Sequence, residues 1–435
     1  MYILLRGQRW RITLAAWACM VALISIGRIY AKNFLDNRFD NSNWGLDFYQ
    51  FWYGGHFFWQ GEEPYTSIQY SQPPKLKEPR VPIHLSDNRN RSHELTLHRR
   101  WPVNIIPGAA PLFLLMTPLS LLPWVHATIV WSAVNIMLGI ALIWLLMRSN
   151  GDKLVSVDGS LLLGLFFSMI AVRQTIELGQ TSLITTTSMY GALLLANSHP
   201  ILAGSLLAVS TSKYTIGLPV LIYFLYRRWL KEIAICIAIH LSSVLVLAGV
   251  SHANPLKVVQ AYIAGSTTVL QQTEEYAIHL LAMGWGPLAH WLVGIGTVTV
   301  IVSLMSWHRR STPQVREDML SAYTLMGIGS LWSLLSLYHG RHDMVAAFVP
   351  IAIMILRTGR KRTSHLVSLY ELTSPQQTLL YIFIAIVLLV WSLPLYVLTG
   401  TTAYRWVYVG CNMGVLVLLE LLLFKVQLST TPTQR

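Results

Sequence analysis

Long uninterrupted apolar runs constrain this chain more than any other feature of it. Several stretches of roughly 17–24 residues hold almost no ionisable group, the length a helix needs to cross about 30 Å of hydrocarbon at 1.5 Å per residue. A spanning segment satisfies its backbone hydrogen bonds internally, and runs without period-2 alternation favour helices over a closed barrel. The 435 residues are 54% hydrophobic and only 12% charged, against about 25% charged in soluble domains, so a single soluble core cannot hide the apolar surface. The expected fold is an all-α integral membrane protein, a polytopic bundle of about 12 transmembrane helices within a range of about 9–13. Residues 1–426 read as one membrane domain. Within it, 31–123 form a long external loop with interfacial helices and 251–285 a second external segment, while 427–435 read as a disordered cytoplasmic tail.

A net charge of +13 raises the question of nucleic acid, but the basic residues form no stripe with interleaved aromatics. They punctuate the apolar runs instead. Clusters at Arg6/Arg9/Arg11, Arg148/Lys153, Arg227/Arg228/Lys231, Arg309/Arg310/Arg316 and Arg357/Arg360/Lys361/Arg362 sit at helix ends, where the positive-inside rule reads them as cytoplasmic. The three cysteines, Cys19, Cys236 and Cys411, make no metal or disulfide spacing and read as packing residues.

Topology follows from those clusters. Residues 12–30 read as an uncleaved signal anchor that delivers the 31–103 loop to the outside. The 104–123 stretch is apolar but broken by Pro107, Pro111, Pro118 and Pro123. If it spans, every later basic cluster inverts; if it lies in the outer interface, all of them fall inside, and the second reading is taken. Spans are then expected at 124–147, 159–176, 181–197, 233–250, 287–307, 320–338, 344–356, 378–397 and 406–424, with both termini cytoplasmic. Two half-length segments, 200–212 and 215–226, flank Lys213 like the broken helices that line polar cavities in membrane proteins. There is no internal repeat.

Charge at or within a membrane is costly and is usually retained for work. This topology places Asp47, Glu177, Gln180, Lys213, His339, Arg341, His342 and Asp343 together at the outer face, as an outward-opening active site requires. Asp47 opens the aromatic run Asp47-Phe48-Tyr49-Gln50-Phe51-Trp52-Tyr53, which suits an interfacial helix with its rings at headgroup level. It reads either as the helix N-cap or as a general base shielded from bulk water, and the two are compatible. Glu177-Leu178-Gly179-Gln180 reads as a tight turn between spans, with glycine supplying the backbone freedom. Lys213 needs an anionic partner or a route to water; phosphate is one candidate and snorkelling to headgroups the alternative. Tyr338-His339-Gly340-Arg341-His342-Asp343 is the richest cluster: Arg binds phosphate bidentately and His can hydrogen-bond or protonate a leaving oxygen. A His/Asp set can also hold a divalent metal, but no second ligand pair has diagnostic spacing, and no cofactor is expected. His84, His93 and His98 lie in a polar loop and read as solvated.

These residues carry a resemblance. The run from Asp47 through Tyr53, Gly54 and Gly61 to Pro64-Tyr65 resembles the first external loop of the C-type membrane glycosyltransferase superfamily, and within it the polyprenol-phosphate-mannose-dependent α-mannosyltransferases. Further matches follow in order: the proline-rich stretch ending Pro118-Leu119-Ser120-Leu121-Leu122-Pro123, the Gly179-Gln180 turn, Ala203-Gly204 leading to Lys213, Arg227-Arg228-Trp229, and Tyr338 to Asp343. The resemblance implies a polyprenyl-phosphate sugar donor, a lipid or glycan acceptor at the outer face of a bacterial inner (plasma) membrane, and an acidic residue of the first loop, here Asp47, as catalytic base. The mechanism expected is inverting hexosyl transfer, with Lys213 and Arg341 at the leaving phosphate, His339 orienting phosphate or sugar, and Gln180 hydrogen-bonding sugar hydroxyls. Glu177, Tyr338 and Asp343 complete the donor side. The partners are donor, acceptor and membrane lipids, with no nucleic acid. A transporter or flippase of a lipid-linked sugar uses similar broken helices, but the missing repeat and the one-sided polar groups fit it less well. A purely structural subunit leaves Lys213 and the 339–343 cluster without a reason.

Overall fold

The computed structural model describes residues 2–35, 45–65, 108–272, 287–310, 319–336, 341–358, 407 and 409–418, and among them every regular element is helical. The chain is an all-α membrane protein. The elements in order are α1 (Tyr2–Leu35), α2 (Leu46–Trp59), α3 (Ala110–Met116), a 3-10 turn (Thr117–Leu121), α4 (Trp124–Ser149), α5 (Val157–Ser168), α6 (Ile170–Leu178), α7 (Ser182–Leu195), α8 (Pro200–Thr211), α9 (Tyr214–Tyr226), α10 (Leu230–Val250), α11 (Pro255–Gln272), α12 (Pro287–Arg310), α13 (Met319–Ser336), a 3-10 turn (Arg341–Met344), α14 (Val345–Thr358) and α15 (Val409–Leu418). The expected segments at 378–397, 66–107 and 427–435 lie outside the described residues.

Local chemistry sets several of the starts. The Ser156 hydroxyl caps α5 by accepting from the Gly159 N–H at 3.1 Å, with Asp158 in the first turn where the helix dipole favours an anion. Proline opens α8 and α11, a position at which its missing N–H costs nothing. Three helices, 12–31, α4 and α10, are long and apolar enough to cross a membrane, or four if the bent pair α5 and α6 counts as one span. Their outer faces expose large apolar side chains such as Leu23, Met137, Leu241 and Leu245, surface that only lipid accommodates at low cost.

The segments counted as further spans are shorter. Helices α7, α8 and α9 have 14, 12 and 13 residues, or about 18–21 Å of helix. The 159–176 stretch is not one straight span: α5 and α6 meet at 63°, because Met169 takes an extended conformation that ends one helix and starts the next. The proline-rich stretch, with Pro111 and Pro118 at helix starts, breaks into α3 and a 3-10 turn, and neither is long enough to span. It packs on α2, α8 and α10.

Two hydrophobic cores result. One joins α1 and α4–α10 to α13 and α14. The other is aromatic and joins α2, α3, the start of α4, the end of α10 and α11. Phe48 lies between Trp124 and Trp131, stacked on them at 5.7 and 5.8 Å, and Phe51 and Trp52 are buried with it. The rings of α2 were expected at headgroup level; instead most of them pack against protein, because the 3-10 turn and the start of α4 cover that helix.

Candidate active site

The turn that follows α6 lies between the two cores. Gly179 ends α6 at φ 69°, in the left-handed region that favours glycine, and a Cβ there would come within 2.6 Å of Phe48 Cβ. The turn is held from both sides: the Gly45 N–H donates to the Glu177 carbonyl at 2.7 Å, and the Trp131 indole N–H donates to the Gly179 carbonyl at 2.8 Å. Gly45 itself stands at φ 72° before α2. The tight turn expected at 177–180 is therefore present, clamped between α2 and α4.

This clamp brings Gln180 to Asp47. The Gln180 Nε2 donates a hydrogen bond to Asp47 Oδ2. Asp47 is not the N-cap of α2. Gly45 occupies that position without a side-chain cap, and Asp47 falls in the first helical turn, its carboxylate turned to Gln180. The Gln180 amide accordingly holds the carboxylate. Asp47 retains some accessible surface. Desolvation pushes its carboxyl up to about 6, against the opposing effects of the Gln180 bond and the Lys213 charge, while the negative charge of Asp343 adds to the rise.

Those two charges form the other half of the site. Lys213 stands at the junction between α8 and α9, at the break its position in the sequence suggested. Its ammonium forms an ion pair with Asp343 Oδ1. Ser182, at the start of α7, donates to the same Oδ1 at 2.6 Å and accepts from Lys213 Nζ at 3.1 Å. Asp343 is 1% exposed, and the 3-10 turn that carries it packs against α6 and α14. Its carboxylate also faces the N-terminal end of α7, where the helix dipole favours an anion.

Of the residues the sequence singled out, Asp47, Gln180, Lys213 and Asp343 thus converge. Glu177 sits half-buried at the end of α6, tied in by its backbone and in electrostatic contact with Arg173 one turn earlier, which Arg28 of α1 also faces. Arg341 opens the 3-10 turn; its side chain, with Tyr338 and His339, lies outside the described residues. Ser182, Trp131 and Arg173 were missed. Serine and tryptophan in an apolar run resemble packing residues, and only the fold reveals their partners. Among the described residues no three His, Cys, Asp or Glu side chains gather as a metal site requires.

The polar ends of these helices share one side. In α4 the Trp124 and Trp131 end faces the site and Arg148 lies at the other; in α9 Lys213 precedes the first turn and Arg227 follows the last. Arg148 and Arg227 lie over Trp144 and Trp229 at 5.4 and 5.0 Å. The model of glycosyltransferase family 87 matches residues 110–337, just over half of the chain. The chain belongs to that family. It is a membrane glycosyltransferase, which the resemblance also implied. Asp47 and Asp343 flank the matched segment of this glycosyltransferase, while Gln180, Ser182 and Lys213 fall within it. No curated protein and no solved structure matches the chain.

Proposed function

We propose that this glycosyltransferase moves a hexosyl residue, mannosyl by resemblance, from a polyprenyl-phosphate donor to a hydroxyl of a lipid or glycan acceptor, with inversion, at the outer face of the membrane. The observation that carries this reading is the unlike treatment of two carboxylates in one site. Asp343 is neutralised by an ammonium and a hydroxyl. Asp47 has a neutral amide as its partner and a carboxyl raised to about 6 by desolvation. A carboxylate paired with a cation and a desolvated one with a neutral partner are suited to different roles. Asp47 is suited to accept a proton near neutral pH, and Asp343 to hold a cation in place.

In this reading Asp47 takes the proton of the acceptor hydroxyl as that oxygen attacks the anomeric carbon from the face opposite the phosphate. The carbon–oxygen bond to phosphate breaks, and its electron pair leaves with the polyprenyl phosphate. Charge growing on the phosphate meets Lys213 and Arg341, the kind of preorganised contact that usually supplies the largest catalytic contribution. Gln180 keeps the base oriented; His339, Tyr338 and Glu177 are assigned to the donor's sugar and phosphate. A lipid donor accounts for a site set among half-length helices beside lipid-facing ones. The external placement rests on Arg148 and Arg227 at the far ends of α4 and α9, ends that the positive-inside rule assigns to the cytoplasm, with both termini on that side.

The test is direct. Purified protein in detergent, given a polyprenyl-phosphate mannose and acceptor lipids, should release polyprenyl phosphate and form a glycoside of the opposite anomeric configuration, read by mass spectrometry and NMR. Retention of configuration, or transfer only from a nucleotide sugar, overturns the proposal; a flippase would need a sealed bilayer and release nothing in detergent.

A further inference from the structure

Ser182 is fully buried, and its hydroxyl does two jobs. A hydroxyl carries one donor and two acceptor lone pairs, and an ammonium carries three N–H donors. Ser182 spends its donor on Asp343 Oδ1 and one lone pair on Lys213 Nζ, and Nζ donates to that same Oδ1. The three groups form a closed triangle. It occupies two of the ammonium's three N–H bonds; the third has no partner among the described residues, and the lysine side chain keeps 15% of its surface accessible. A carboxylate alone would leave the ammonium free to turn on its flexible four-carbon stem. A second contact to a rigid helix start fixes its rotation, and with it the direction of the remaining N–H. Asp47 is close enough for the charges of both Lys213 and Asp343 to act on it, so the fixed ammonium belongs to the same site as the base.

We infer that Ser182 is a positioning residue: it locks the Lys213–Asp343 pair so that the third N–H of Lys213 points at a phosphate oxygen of the donor as the glycosidic bond breaks. The inference rests on the reading of the site as one that takes a polyprenyl-phosphate sugar. Its signature is in turnover, because charge accumulates on that oxygen only as the bond to the sugar breaks, and an interaction made chiefly in the transition state appears in kcat rather than KM.

The test is a double-mutant cycle with donor kinetics normalised to folded protein. Ser182→Ala should lower kcat about tenfold, the scale of one charge-assisted hydrogen bond, with KM for the donor changed less than about twofold. The second background is Lys213→Met with Asp343→Asn, which leaves no unpaired charge at the pair and so favours folding. There Ser182→Ala should change the residual single-turnover rate less than about twofold, because the residue acts only through the lysine. Normal turnover by Ser182→Ala in the unaltered background, or an equal loss in both, overturns the inference. Failure of the unaltered protein to use the donor instead overturns the reading of its function, and this inference with it.

Discussion

Asp47 and Asp343 occupy the same site, yet their neighbourhoods differ in every respect that decides a carboxylate's role. Asp343 sits between a cation, a hydroxyl and a helix start. Asp47 sits at the edge of an aromatic core with one neutral amide donor. Fixed positive partners hold a carboxylate as an anion and leave it a poor proton acceptor. Desolvation with little compensation keeps a proton affinity suited to catalysis. The two hydrophobic cores border one carboxylate of each kind: the ion-paired Asp343 adjoins the larger core, and Asp47, the base under the proposed function, adjoins the aromatic one.

The largest effect expected from breaking that contrast is at Asp47. Asp47→Asn keeps the shape and a partner for Gln180 but removes the base, and turnover should fall roughly 100-fold to 10,000-fold, with donor binding retained. Because Asp47 caps nothing, Asp47→Asn should not cost the stability of a lost helix cap, about 1 kcal/mol. Near-normal transfer by the folded variant, measured alongside donor binding, would remove Asp47 from the mechanism.

Asp343 should respond in the opposite way, through the fold first. Removing one member of a buried ion pair leaves the other uncompensated, so Asp343→Leu or Lys213→Met alone should each cost on the order of 3 kcal/mol, whereas the pair replaced together should cost less than either. Thermal unfolding of the three variants reads this directly. Additive losses would show that the two charges are not one unit.

Much of the site was legible before the fold, and the reasons differ by residue. Lys213 announced the α8–α9 break because a cation in an apolar run has no cheap explanation, and Gly179 announced a turn because a left-handed position favours glycine. The bend at Met169 was silent: Phe167, Ser168, Met169, Ile170 and Ala171 contain no proline or glycine to mark it. The entry to α2 was misread because Gly45 and Asp47 both suit a helix start, and only the bond to Gln180, 133 residues away, decides between them. The aromatic face of α2 was visible as a periodicity, but periodicity does not say whether rings meet headgroups or Trp124 and Trp131. Ser182 carried no signal, since its partners come from two other segments of the chain.

The smallest and sharpest effect is on pH dependence, and its sign follows from the neighbours of Asp47. As the base, Asp47 must be ionised, so kcat/KM should fall as pH drops through a midpoint of about 6. Lys213 favours the ionised form and Asp343 disfavours it. Lys213→Met should therefore move the acid limb to higher pH, and Asp343→Asn, which removes a negative neighbour and frees the lysine charge, to lower pH. Stability runs the other way from activity. A carboxyl raised from 3.8 to about 6 binds its proton more tightly in the folded state, so its effect on stability is nil below about 4, and stability is lost progressively as pH rises to about 6. Asp47→Asn should consequently match the parent in thermal unfolding near pH 4 and equal or exceed it at pH 7. An acid limb with the same midpoint in all three backgrounds would show that another group titrates, and would detach the raised carboxyl of Asp47 from the reaction.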